Sequence, residues 1–335
     1  MDVSAFPKRN YIQGYTPIEK MERLSSYLGG PDIYIKRDGL TGLPFGGNKT
    51  RKLEYLMADA LAQGADTIIT CGAVQSNHCR LTLAAAIREG LPCQLVLEER
   101  VPKSYDYHAS GNNFLFNLMK PEKIHIAPFG TSPVQVMEEV AEQLREEGRH
   151  PYIIPVGGSN AVGDLGYVAC ANEILAQMKQ MGIRFDRIFV TSGSAGSHAG
   201  LLAGMKANQE SIEVHGIGIN RPQKVQEAAV LELANDTLQK LGLAPTITEN
   251  DVVVNCNYIG EGYSLPTEAM KRAVRLVAEQ EAIILDPTYT GKTMSGLIDL
   301  IEKGIIGKEE KILFVQEVLL VYLPTLSSFI NALRQ

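Results

Sequence analysis

The chain of 335 residues has room for about two domains of ordinary size. At 45% hydrophobic and 21% charged it has the profile of a globular protein, which excludes a disordered or fibrous one. Its 32 Lys and Arg against 38 Asp and Glu give a formal net charge of −6, which argues against nucleic acid or an anionic membrane as a partner. The start, Met1 to Arg9, lacks the apolar core of a secretory signal, and no run of about 20 apolar residues is present. The expected location is the cytoplasm.

In chain order, strand-like and helix-like segments alternate. Asp32–Lys36 reads as a strand, and residues 50–61 carry Leu53, Leu56, Met57 and Leu61 at helical spacing. Residues 66–70 form a buried-strand run, followed by the turn Cys71–Asn77 and a helix through Ile87. Residues 94–97 and 124–127 read as strands, 133–147 as a helix, and 152–154 as a strand leading into Pro155–Asn160 and a helix from about Gly163. Residues 187–190 run into the turn Thr191–Gly200 and another helix. Residues 214–219 and 283–285 complete the expected strands, with helices near 222–241 and 266–280 and a last strand at 312–315. Strands separated by helices of this length imply an α/β architecture of parallel sheets flanked by helices.

The five cysteines, at 71, 79, 93, 170 and 256, form no CxxC pair, so reduced thiols are expected and no disulfide framework. The six histidines form no metal-binding motif, and no metal is expected. His78 and Cys79 are sequence neighbours, but adjacent helical residues face different ways, which disfavours a nucleophile–base pair.

In an open parallel sheet, ligands collect where strands end and helices begin. Four Gly-rich turns occupy such places. In Phe45-Gly-Gly-Asn-Lys49, a residue other than Gly precedes the lysine, so this is no Walker loop. Lys49 starts a helix, and Lys52 follows on the same face; a nearby cation and the positive helix end both favour a neutral Lys49 amine, which Schiff-base chemistry requires. A solvated turn with two surface lysines fits the same residues. The turn Gly193-Ser-Ala-Gly-Ser197 offers bare N–H groups and two hydroxyls to a phosphate, or is simply a tight structural turn. The turns at 72–77 and 157–160 add Ser76, Asn77, Ser159 and Asn160. Tyr263 and Tyr289 sit in turn-rich stretches ahead of helices, either as wet loop tyrosines or as phenols able to shuttle a proton.

Gly46–Tyr55, Gly72–His78, Pro155–Asn160, Ser192–Gly196 and Leu285–Lys292 together resemble the D-cysteine desulfhydrase / 1-aminocyclopropane-1-carboxylate (ACC) deaminase family, over about residues 8–315. The family consists of pyridoxal-phosphate enzymes of the tryptophan-synthase-β type (fold type II). The resemblance implies a large domain of 1–49 and 161–335, a small α/β domain of 50–160, and a homodimer. It implies that Lys49 bonds to the cofactor, that Asn77 meets its ring hydroxyl, and that Ser194, Ala195, Gly196 and Ser197, with Lys52 nearby, hold its phosphate. Ser76, Tyr263 and Tyr289 would lie on the substrate side. Thr290 stands where ACC deaminases have Glu, so a desulfhydrase is expected, with D-cysteine going to pyruvate, hydrogen sulfide and ammonia. Lys49 would be the α-proton base. A lyase or deaminase for ACC, L-cysteate or a related substrate, and a non-catalytic cofactor-binding relative, are the alternatives.

One stretch departs from the family. A His-Thr-Gly-Gly-like turn, whose Thr pairs with the ring nitrogen, is expected after the last strand; the chain instead has Gln316-Glu-Val-Leu-Leu-Val-Tyr-Leu-Pro-Thr325. Glu317 takes over the Thr's task, or the site is crippled, or the reading frame has changed. Codons such as CAG-GAG-GTA-CTG-CTG-GTA read two bases on give Gly-Gly-Thr-Ala-Gly, and resequencing several clones separates the readings. If the chain is as written, packing of Val318 to Leu323 where the turn should lie implies weaker cofactor retention.

Overall fold

The structure, a computed structural model, describes residues 1–318. Its elements run β1 (Ile18–Lys20), α1 (Glu22–Leu28), β2 (Asp32–Lys36), α2 (Lys49–Ala62), β3 (Thr67–Ala73), α3 (Asn77–Arg88), β4 (Cys93–Glu98), α4 (Asn112–Met119), β5 (Lys123–Ala127) and α5 (Pro133–Glu146). They continue with β6 (Pro151–Ile154), α6 (Ala161–Met181), β7 (Arg187–Ser192), α7 (Gly196–Ala207), β8 (Glu213–Gly218), α8 (Gln223–Lys240), β9 (Val253–Asn255), α9 (Glu268–Glu281), α10 (Thr290–Glu302) and β10 (Lys311–Val315).

Two sheets result. One has the order β1-β2-β10-β7-β8-β9 and the other β5-β4-β3-β6. Every pairing is parallel except β1 with β2. Helices cover the parallel strands, so these read as continuous apolar runs; β3 (TIITCGA) and β7 (RIFVTS) are buried along almost their whole length.

Residues 283–285 are not a strand. Ile283 and Leu285 turn into the core while Ile284 is exposed, and the Ile284 carbonyl accepts from the Gln316 side chain, not from a neighbouring strand. The short β1, α1, α4 and β9 went unforeseen, because three to eight residues carry too little periodicity to declare an element. Among the described residues, no helix is long and apolar enough to cross a membrane.

Helix α2 packs against α6 and α3. Its contact with α6 depends on Gly166: a Cβ there would overlap the backbone of Arg51 and Lys52, which cannot move aside like a flexible side chain. Gly166→Ala should cost about 1–3 kcal/mol of stability or more by overpacking. A denaturant midpoint measures it, and an unchanged midpoint refutes the tight contact.

Candidate active site

The C-terminal ends of β3, β4, β6, β7, β8 and β10 converge on one cleft, with a cavity of about 140 Å³. This is where the topology of open parallel sheets places a ligand. Ser76, Asn77, Ser194, Ala195, Ser197, Lys49, Tyr263 and Tyr289 all line it. Lys52 and Gly196 do not; they lie behind the β7–α7 turn, where a Cβ on Gly196 would overlap Lys52 Nζ, Asp164 and Ser159.

Lys49 opens α2 and points into the cleft. Burial, followed by the Lys52 cation, pulls its ammonium down from the ordinary lysine value to about 7, against the pull of Glu317 and Asp164. Burial pushes the Asp164 carboxyl up to about 7 and the Lys52 ammonium down, although the two stand 3.4 Å apart. Beyond this long contact with Lys52, neither Asp164 oxygen has a hydrogen-bond partner among the described residues.

The β7–α7 turn is built for an anion. Ala195 adopts φ 73°, and no side chain caps the N-terminus of α7, so its first N–H groups remain open to the cleft. Lys52 Nζ donates to Ser159 Oγ (3.0 Å), and Ser159 Oγ donates to Ser194 Oγ (2.8 Å). That relay leaves the Ser194 hydroxyl proton for a ligand and carries the influence of a buried cation to the turn. The Ser197 side chain is otherwise engaged: its Oγ accepts from Asn48 Nδ2 (3.0 Å) and bonds the Glu317 carboxyl, so its N–H is what faces an anion.

On the opposite wall, Ser76 caps α3, its Oγ accepting from Cys79 N at 3.1 Å. Asn77 Oδ1 accepts from Asn112 Nδ2 (2.9 Å) and Arg80 Nη2 (3.3 Å), which turns the amide nitrogen toward the cleft. His78 bonds Thr70 through Nε2 (2.8 Å), and burial pushes the Cys79 thiol well above its usual range, so the two form no nucleophile–base pair. The hydroxyls of Tyr263 and Tyr289 bond each other, with rings 6.0 Å apart at 73°. Thr290 is turned away, donating to Asp286 Oδ1 at 2.7 Å.

Glu317 completes the cavity beside Lys49. Its Oε1 accepts from Asn48 Nδ2 (2.9 Å) and its carbonyl from Asn48 N (2.7 Å). Burial holds its carboxyl up, and the Lys49 cation, Ser197, Asn48 and Thr191 oppose this. Val318 also lines the cavity, while the greasy run expected over 319–323 lies outside the described residues. Arg100 and Arg221 line the cleft too, and neither stood out in the sequence, since isolated arginines after strands carry no motif. Among the described residues, no group of three His, Cys, Asp or Glu is placed to hold a metal.

A lysine whose ammonium is pulled down to about 7, facing an uncapped helix N-terminus across a cleft of hydroxyls, suits an enzyme built around a phosphorylated aldehyde. Residues 10–316 match the family described as pyridoxal-phosphate dependent enzyme, and the chain belongs to it. It is 42% identical over 314 residues, 93% of this chain and 94% of the relative, to a protein of Yersinia enterocolitica called D-cysteine desulfhydrase. It is 40% identical over 322 residues, with the same coverage, to one of Serratia proteamaculans bearing the same name. A solved structure described as an ACC deaminase homologue is 37% identical and superimposes with a TM-score of 0.89, over 99% of this chain and 97% of that one. The architecture is fold type II, and the cofactor is pyridoxal phosphate.

The residues present fit that group. The open α7 N-terminus suits a phosphate, the free Asn77 amide a ring oxygen, and the Lys49 amine an aldehyde.

Proposed function

We propose that this protein is a carbon–sulfur lyase that converts D-cysteine and water to pyruvate, hydrogen sulfide and ammonia. The observation that carries this reading is the Lys49 amine, held near pKa 7 in a cleft that also contains a bonded pair of phenols. The names of the relatives support the sulfur substrate.

When bound, the cofactor supplies an aldehyde that reacts with amines and a ring that delocalises the electron pair left at the substrate's α-carbon. The N–H groups of Ser194, Ala195 and Ser197 and the Ser194 hydroxyl would hold its phosphate, with Lys52 adding positive charge through Ser159. Asn77 would donate to the ring hydroxyl through its amide nitrogen. Glu317 is the acid in the cleft available to the ring nitrogen. Ser76 donates to the substrate carboxylate. Lys49 lifts the α-proton, and the Tyr263–Tyr289 pair delivers a proton to the departing sulfur. The reading includes a homodimer in the cytoplasm, and a small domain of 50–160 set against a large one of 1–49 and 161–335; strands β3 to β6 all fall inside the former.

Sulfide and pyruvate release from D-cysteine, with L-cysteine and ACC as controls, tests the function. Sulfide from the L-isomer alone rejects it. Ser194→Ala should weaken cofactor binding by about 1.5–3 kcal/mol, the worth of a hydrogen bond to a charged group. An absorbance titration of cofactor into the stripped protein reads this, and undiminished affinity removes Ser194 from the phosphate site.

A further inference from the structure

Arg100 has no task in the scheme above. It follows β4 by two residues, is half-buried, and lines the cleft from the side of the four-stranded sheet. Its Nε donates to Glu98 Oε2 at 2.8 Å, which steadies the guanidinium. Its Cζ lies 4.2 Å from the centre of the Tyr263 ring, well inside cation–π range. Tyr263 passes the contact on, hydroxyl to hydroxyl, to Tyr289. Tyr289 is fixed from behind, its N–H donating to Asp286 Oδ2 at 2.7 Å. A continuous row of carboxylate, guanidinium, phenol and phenol therefore joins the loop after β4 to the start of α10.

We propose that Arg100 is a positioning residue for the Tyr263–Tyr289 pair, holding the two hydroxyls in register and balancing the negative charge the pair acquires when it gives up a proton. Burial and the Tyr263 hydroxyl hold the Tyr289 phenol well above its ordinary value, Asp286 adds to this, and Arg100 pulls the other way. The other charged or titratable groups of the cleft are Lys49, Glu317, Arg221, Cys71 and His78, and none of them stacks on either ring.

The identity of the proton acceptor rests on the lyase reading; the contact itself does not. In that reaction the carbon–sulfur bond breaks and sulfur leaves with its electron pair. A phenol proton passes to it, hydrogen sulfide departs, and a phenolate remains under the guanidinium. The proton that Lys49 has taken from the α-carbon restores the phenol, so the cycle closes with no net change in the protein. Without Arg100, the phenolate would form in a half-buried site with no cation stacked on the pair, where proton transfer is costly.

The test compares Arg100→Gln with Arg100→Lys in the cofactor-loaded protein. Arg100→Gln should lower kcat on D-cysteine by about tenfold or more with KM changed by less than about twofold, the pattern of an interaction made in the transition state. Arg100→Lys, which keeps a cation over the ring, should restore most of kcat. Independently of turnover, carbon-13 NMR of ζ-labelled tyrosine without substrate should show the Tyr263 and Tyr289 signals, assigned by Tyr→Phe variants, displaced in Arg100→Gln and near their native positions in Arg100→Lys. Equal impairment of both variants, a loss confined to KM, or tyrosine signals indifferent to Arg100→Gln would each overturn the proposal. If D-cysteine is not turned over at all, the lyase reading fails while the NMR comparison still decides the role of Arg100.

Discussion

Lys49→Ala should yield a folded protein that, loaded with pyridoxal phosphate and dialysed, retains no cofactor absorbance and releases no measurable sulfide. Removal of a general base alone costs about 10²–10⁴-fold, and here the same amine also anchors the cofactor, so the combined loss is larger. Borohydride reduction of the parent should fix the label on the peptide carrying Lys49, and on no peptide of the variant. Label on Lys52 would overturn the assignment, although its position behind the β7–α7 turn already speaks against it. The stripped parent offers a second check. Only the neutral amine attacks an aldehyde, and burial together with Lys52 brings Lys49 to about 7. Cofactor uptake should therefore rise with pH through about 7 and then level off. A rise that continues toward the ordinary lysine range would show that the cleft does not tune this amine.

Much of this arrangement could be read from residue order alone, for a physical reason. Parallel strands buried on both faces announce themselves as apolar runs, and the Gly-rich turns after them must lie at the sheet's carboxyl edge. Hence residues from separate stretches, Lys49, Asn77, Ser194 and Tyr289 among them, come together in one cleft as anticipated. Several details lay beyond the pattern. The commitment of the Ser197 hydroxyl to Asn48 and Glu317, and the Lys52–Ser159–Ser194 relay, depend on side-chain directions that spacing does not encode. Thr290, the position at which the resemblance favoured a desulfhydrase, points to Asp286 and not into the cleft. The strand expected at 283–285 failed because apolar residues alone do not supply a pairing neighbour; β10 pairs with β2 and β7 instead. Arg100 was invisible because its significance lies in a ring 163 positions further along the chain.

Asp38→Ala should be strongly destabilising, by about 3–5 kcal/mol, because it leaves the buried Arg51 guanidinium only Glu173, a carboxylate already shared with Lys36. Asp38 is fully buried and receives Arg51 in a fork, Nε to Oδ2 at 2.7 Å and Nη2 to Oδ1 at 2.8 Å. Glu173 takes the other edge of the same guanidinium at 2.9 Å and binds Lys36 Nζ at 2.5 Å, while Thr16 donates to Asp38 at 2.8 Å. Arg51 lies two residues after Lys49 on α2, so this network fixes the helix that aims the reactive amine. Burial pushes the Asp38 carboxyl up, and Arg51, helped by Lys36 and Thr16, more than reverses it, to about 2. A folded-state value below that of the unfolded chain means that the unfolded state binds more protons in between. The stabilisation is therefore complete above an ordinary Asp value near 3.8 and is lost as pH falls toward 2. Denaturant midpoints measured from neutral pH down to about 3 should show the parent losing stability as pH falls below about 3.8, and Asp38→Ala losing less there. Parallel curves for the two proteins would mean that Arg51 finds its charge balance elsewhere, and that the aim of Lys49 does not depend on this carboxylate.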